Sequence, residues 1–162
     1  MAKLGLKAKL YYLSTGTRAT WASTSTGGVY SGPAPTNLTE MPNVRDLTLN
    51  LSKGEADATT RGGNGWKTIL AALKEGSIEF EMIWDTTDTS FQAFFNAWLT
   101  DTNIAVASLD GDKATVGSQG LWADFVVTGF SKKEPLAEVQ AVSVTIKPAY
   151  STVAPQWVAV AS

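Results

Sequence analysis

The stretch IEFEMIW, residues 78–84, decides the fold of this chain. Large apolar side chains at positions 78, 80, 82 and 84 alternate with Glu79, Glu81 and Ile83. An apolar side chain at every second position is typical of a strand with one buried and one exposed face. Residues 47–51 and 142–147 repeat the alternation. The sequence therefore predicts a sheet with an apolar face and a polar face.

Three further apolar segments extend this pattern along the chain. Residues 9–13, 104–109 and 121–130 have strand-like composition, and the segments 110–111 and 117–120 between them are typical of turns. Short turns join neighbouring strands in opposite directions. We therefore expect a mainly β protein with an antiparallel sheet.

One helix is predicted at about 88–99. Thr87 or Asp88 can cap its start. Five large apolar residues then follow at helical spacing, namely Phe91, Phe94, Phe95, Trp98 and Leu99. A stripe of this kind usually packs on a sheet; a contact between subunits and an aromatic box for a cofactor are the two alternatives.

The length of the chain suits one domain spanning residues 1–162. Residues 14–42 are rich in Ser, Thr, Gly and Pro, so we expect a long exposed connection there, with at most one weak strand around Trp21. A loop of this length in a compact domain is more often functional than idle.

The composition excludes much of enzyme chemistry. The chain has no Cys and no His, which removes thiolate nucleophiles, the usual catalytic triads and most zinc sites. Its net charge is −2 and its longest basic run is Lys132-Lys133, so tight nucleic-acid binding is not expected. The sequence also has no apolar stretch long enough to span a bilayer. We expect a protein made in the cytoplasm that is not an enzyme and needs no cofactor or metal.

Three patterns could carry chemistry, and each has a simpler interpretation. Glu79 and Glu81 share one strand face at a spacing that glycosidases could use, but alternation alone explains them. The Gly-rich segment 60–66 could form an anion nest, but it lacks the ending of a phosphate loop and suits a projecting turn. Asp110 and Asp112 match a fragment of a calcium loop, but a hairpin turn explains them.

Aromatic residues are more numerous than one small core needs, with six Trp, four Tyr and six Phe. Aromatic side chains are typical of protein interfaces and of sugar-binding platforms. Trp21 and Trp157 lie in weakly patterned segments, and Arg61 and Trp66 flank the Gly-rich turn. We predict that these four residues, together with Asp57, contact neighbouring subunits.

Seven short strings resemble the major tail tube proteins of long-tailed, siphovirus-type bacteriophages. In chain order they are KLYY (9–12), NVRDLTL (43–49), ATTRG (58–62), GW (65–66), FEM (80–82), GSQGL (117–121) and EPL (134–136). None is specific alone. Their combined order across residues 3–13 and 42–157 carries the resemblance over most of the chain.

The resemblance implies a fold and an assembly. The fold would be a β-sandwich or partial barrel with a flanking helix, and sheets of six copies would join into a larger barrel around a DNA channel. Rings would then stack into a tail tube, together with other tail proteins of the virion, for genome ejection into the bacterial host in which the chain is made. A loop reaching the next ring would correspond to residues 52–67, and the segment 14–42 would face outward or reinforce contacts between rings.

A channel for DNA should have a polar lining that is poor in Lys and Arg, because a polyanion must slide through it without being held. Polar positions of the alternating strands meet this requirement, although Lys147 ends the last strand with a positive charge. The predicted lumen residues are Thr48, Asn50, Glu79, Glu81, Ser143 and Thr145. The alternatives are a carbohydrate-binding module or tail decoration, and the tube of a phage-derived injection device or gene transfer particle.

Overall fold

The computed structural model describes residues 2–14 and 16–161. The elements are β1 (Lys9–Leu13), β2 (Ser25–Thr26), β3 (Val29–Gly32), β4 (Leu38–Glu40), β5 (Val44–Asp57), β6 (Ile69–Ile83), α1 (Thr89–Leu99), β7 (Ile104–Leu109), β8 (Gln119–Lys133), β9 (Ala141–Pro148) and β10 (Gln156–Val160). The mainly β fold with one flanking α-helix is confirmed.

Strand β8 belongs to two parts of one sheet. Its first half pairs with β7 and β10, in a seven-stranded part ordered β2-β3-β10-β8-β7-β1-β4. Its second half, from Phe125 to Lys133, pairs with β9 in a four-stranded part ordered β8-β9-β6-β5. The sheet does not close into a barrel within one chain.

The main core lies between these two parts and α1. Phe80 and Val144 from the four-stranded part share this core with Tyr12 and Val106 from the seven-stranded part. Helix α1 adds Phe94, whose ring meets Phe80 edge to face at 5.4 Å. Each of these strands contributes alternate residues, which is the arrangement that the two-residue period predicted.

The expectation of a wholly antiparallel sheet needs one correction. Strand β3 runs parallel to β10, with Trp157 opposite Val29 and Val160 opposite Gly32. Parallel neighbours require a long connection between them. The chain between β3 and β10 is most of the domain, so no local signal marks this pairing.

The prediction of a long exposed connection at 14–42 is wrong in part. Strands β2, β3 and β4 lie within it and extend the seven-stranded part. Arg18 and Trp21 anchor the rest, because both are buried on the other face of the seven-stranded part. There Trp21 belongs to a second core cluster with Tyr11 and Trp122. Arg18 forms an ion pair with Asp124 at 3.2 Å and donates to the carbonyl of Val153.

Helix α1 begins where the sequence predicted, with Asp88 accepting a hydrogen bond from the Ser90 N–H at 3.4 Å. Burial of the whole apolar stripe is not observed. Phe91 and Phe94 are buried, whereas Trp98 is 43% and Leu99 59% exposed. Leu99 lies about 80° around the helix from Phe91, so its side chain points to one side of the buried stripe. No helix in the described part of the chain has the length and apolar content required to cross a membrane.

Candidate functional site

The six residues predicted to line a lumen lie on one face of the four-stranded part. Thr48 is opposite Glu79, and Glu79 is opposite Thr145 on the other side. Glu81 is opposite Ser143, and Asn50 follows Thr48 by two positions on β5. Their strand neighbours point into the core, so this polar face is turned away from it. The structure brings the six residues together; their role in a lumen stays a prediction.

The polar face offers little support for glycoside hydrolysis. Glu79 has a threonine directly opposite it on each side, not a second carboxylate across a cleft. Glu81 projects in parallel from the same strand, opposite Ser143. The described residues contain no group of three or more Asp and Glu side chains that could hold a metal ion.

The predicted loop 52–67 is largely a two-stranded hairpin. Strands β5 and β6 stay paired from Ser52 opposite Glu75 out to Asp57 opposite Ile69, beyond the last residue that β9 covers. We call residues 52–75 the hairpin arm. Its tip turns through Asn64 and Gly65, which both have positive φ, at 52° and 81°. The Gly-rich segment therefore forms a projecting turn.

The hairpin arm carries large apolar side chains that the chain itself leaves exposed. Trp66 is 77%, Leu70 63% and Leu73 82% exposed. A two-stranded hairpin is at best marginally stable alone in water. Exposed apolar side chains on such an element are typical of surfaces that contact another protein.

Asp57, Arg61 and Trp66 all lie in the outer half of the hairpin arm, at or near its tip. Their contact with a neighbouring subunit stays a prediction. The Thr59 side chain and its backbone N–H both hydrogen bond to the Asp57 carboxylate and lower the pKa of Asp57. These hydrogen bonds favour the charged carboxylate and connect Asp57 to the turn into the tip.

Trp21 was predicted to contact a neighbouring subunit, and this prediction is wrong. Its side chain is 6% exposed and its ring meets Trp122 edge to face at 5.7 Å. Its indole N–H donates to the Gly32 carbonyl at 3.0 Å. Burial within the chain also removes Trp21 from any sugar-binding platform. Trp157 is half-buried on β10, and its indole N–H donates to the Gln119 side chain at 3.2 Å.

Asp110 and Asp112 lie in the turn between β7 and β8, as predicted. The Asp110 carboxylate accepts the Gln119 N–H at 2.9 Å. The Ala114 N–H and the Lys9 ammonium, 3.1 Å away, lower the pKa of Asp112. These contacts account for both carboxylates within the turn.

Two strand edges of the four-stranded part are unpaired within the described chain. Strand β5 pairs only with β6, and β8 beyond Phe125 pairs only with β9. Unpaired N–H and C=O groups on a long edge favour pairing with another chain.

Sequence reasoning missed a groove at the base of the hairpin arm. It has a volume of about 660 Å³, and its walls come from β3, β5, β6, β8, β9 and β10. Leu51, Leu121 and Trp157 form its apolar part, and Lys53 and Lys74 its basic part. These residues are far apart in sequence, so only the tertiary structure brings them together.

Known proteins resemble this chain in structure but not in sequence. No family model matches the chain, and no curated protein is similar enough in sequence to count as a relative. A chain in the virion of a native gene transfer agent particle matches with a TM-score of 0.67 at 9% identity, covering 96% of this chain and 98% of that one.

Two further solved structures match over most of their length. A chain in the tail of an empty gene transfer agent particle, determined with six-fold symmetry, gives a TM-score of 0.66 at 13% identity, covering 93% of this chain and 96% of that one. The SPP1 tail tube gives 0.61 at 10% identity, with 96% and 78% covered. The resemblance stated from the sequence is therefore confirmed in the fold: this chain has the fold of tail tube proteins.

Proposed function

We propose that this chain is the structural subunit of a tail tube, in a phage or in a gene transfer particle. The observation that carries the proposal is the four-stranded part of the sheet, which has two unpaired edges and one polar face. It occurs in a chain that has the fold of tail tube proteins. In this role the protein would be a structural component of a virion tail and not an enzyme. Its copies would contact one another and other tail proteins.

The two unpaired edges suit closure of rings. Neighbouring strands in the order β5-β6-β9-β8 are all antiparallel, so β5 and β8 run in opposite directions. When copies are related by rotation about an axis, β8 of one copy therefore meets β5 of the next in antiparallel orientation. Closure satisfies both edges, and a closed barrel has none left to aggregate. Six copies per ring is the number we propose, since a similar tail has six-fold symmetry.

The polar face would line the channel in such a ring, because the opposite face packs on the core. Its threonine, serine and asparagine side chains keep the wall hydrated, and Glu79 and Glu81 repel phosphate. Double-stranded DNA would then pass without tight binding.

Negative-stain electron microscopy of the purified protein tests the proposal. We expect rings or tubes with a central channel, whose number rises with protein concentration. A dispersed 17.2 kDa species at all concentrations in sedimentation velocity would refute the proposal.

Reversing the charge of the polar face should make the tube hold DNA. In Glu79→Lys/Glu81→Lys tubes, linear duplex DNA added during assembly should sediment with the tubes at low salt. It should be released at high salt, because the release of counterions from DNA on binding then contributes less free energy. The Glu79→Gln/Glu81→Gln variant is the matched control and should retain little DNA. Equal DNA retention by the wild type, the lysine variant and the glutamine variant would mean that this face does not line the channel.

A further inference from the structure

The groove at the base of the hairpin arm carries an excess of positive charge, because its lining includes Lys53 and Lys74 but only one carboxylate, Glu75. Lys53 and Lys74 are directly opposite each other on the paired strands β5 and β6. Like charges at opposite positions of a strand pair destabilise it. Neither lysine forms an ion pair with the described part of the chain. Beside the lysines, Leu51 is 58% exposed and Trp157 is half-buried. The groove therefore suits a ligand that is both acidic and apolar.

The loop between β8 and β9 has this complementary character. Every residue from 134 to 139 is exposed. Leu136 is fully exposed and Val139 is 59% exposed. Glu134 and Glu138 flank Leu136; Glu134 has an exposed ion pair with Lys132, and Glu138 has none among the described residues. Exposed ion pairs of this kind are weak and exchange easily.

The loop and the groove lie at opposite ends of the same four strands. The loop enters β9 at Ala141, whereas the groove includes Pro148 at the other end of β9. Seven strand steps separate these two residues by roughly 23 Å. The loop therefore cannot reach the groove of its own chain, and a second copy is the partner that the structure offers.

We propose that the loop 134–139 of one copy binds in the base groove of a second copy. Leu136 enters the apolar part between Leu51 and Trp157, and the two glutamates lie against Lys53 and Lys74. The two surfaces lie on different parts of the chain, so the contact is head-to-tail and repeats from copy to copy. This inference rests on the proposed function and assigns one contact by which tube subunits would join.

Disulfide trapping tests the contact directly, since the native chain contains no cysteine. In the Leu51→Cys/Leu136→Cys variant each copy carries one cysteine in the groove and one in the loop. Mild oxidation of assembled protein should give a ladder of dimers, trimers and longer products on a denaturing gel. The matched control Val116→Cys/Leu136→Cys, which places its second cysteine at another exposed apolar position, should give no ladder. A ladder of equal strength in the control, or none in either variant, would overturn the proposal.

Charge reversal gives a second, independent readout. Glu134→Lys/Glu138→Lys and Lys53→Glu/Lys74→Glu should each reduce assembly by about tenfold or more, because both place like charges across the contact. Combining all four substitutions should restore assembly. Lys7→Glu, an exposed change outside both surfaces, should assemble normally.

The outcomes separate this inference from the proposed function. If the wild type forms tubes and both charge-reversal variants assemble equally well, the contact is refuted while the tube function stands. If the wild type forms no rings or tubes, the proposed function itself fails. Leu136→Ser guards against misfolding, because Leu136 is fully exposed and its replacement leaves the core intact. Normal tubes from this variant would also count against the contact.

Discussion

Tubes should disappear when the hairpin arm is shortened, while the domain stays folded. The change deletes residues 56–70 and joins Glu55 to Ala71, which are opposite each other, through an Asn-Gly turn. It removes Trp66, Ile69 and Leu70, all more than half exposed. Burying each such side chain against a neighbour would contribute about 2 kcal/mol, and the loss repeats at every subunit.

Two measurements check this expectation together. Negative-stain images should show no tubes, and the thermal midpoint by circular dichroism should stay within a few degrees of wild type, because the deleted residues lie outside both core clusters. Trp66→Ser should weaken assembly in the same direction. Val116→Ser, which removes an exposed apolar side chain from the turn between β7 and β8, is its matched control. Tubes of normal length from the shortened protein would show that the arm is dispensable.

Replacing Gly120 by alanine should leave little folded protein. Gly120 lies where β8 pairs with two strands at once, opposite Leu109 on β7 and Val158 on β10. A β-carbon at this position would overlap the backbone carbonyl of Ser108. Backbone cannot rotate away as a side chain can, so β7 and β8 must separate.

The expected loss is at least about 4–5 kcal/mol, the range of exceptionally damaging substitutions and a large share of the stability of a single domain. Urea unfolding and the soluble fraction on expression both measure it. The control is Gly5→Ala, where a β-carbon has open space and stability should change by no more than about 0.5 kcal/mol. A wild-type urea midpoint for Gly120→Ala would contradict the predicted clash.

The polar face was predictable because its signal is local. In a strand, successive side chains point to opposite faces, so the positions of Thr48, Glu79 and Thr145 follow from alternation with their own neighbours. The helix start was predictable for the same reason, since Asp88 and the stripe after it lie within a few turns. The rest of the helix stripe was misjudged because burial of Trp98 and Leu99 depends on which distant residues pack beside the last turn, and helical spacing does not contain that information.

The segment 14–42 was misjudged because its partners are distant in sequence. Its composition is typical of loops, and the residues that anchor Arg18 and Trp21 are Asp124, Trp122 and Gln156, more than 100 positions away. A buried polar or aromatic group is stabilised by the groups that surround it, and these come from the whole fold. The composition of residues 14–42 therefore indicated an exposed loop, whereas in the structure Trp21 is part of the second core cluster.

The sequence by itself determined the mainly β class, the helix, the composition of the polar face and the absence of Cys and His, because each depends on neighbouring residues or on a count. Only the tertiary structure decided that residues 52–75 form a hairpin arm, that β5 and β8 keep unpaired edges, and that Lys53 lies opposite Lys74. The physical reason is strand register: hydrogen bonds between distant segments fix which residues are opposite each other, and no local pattern contains that pairing.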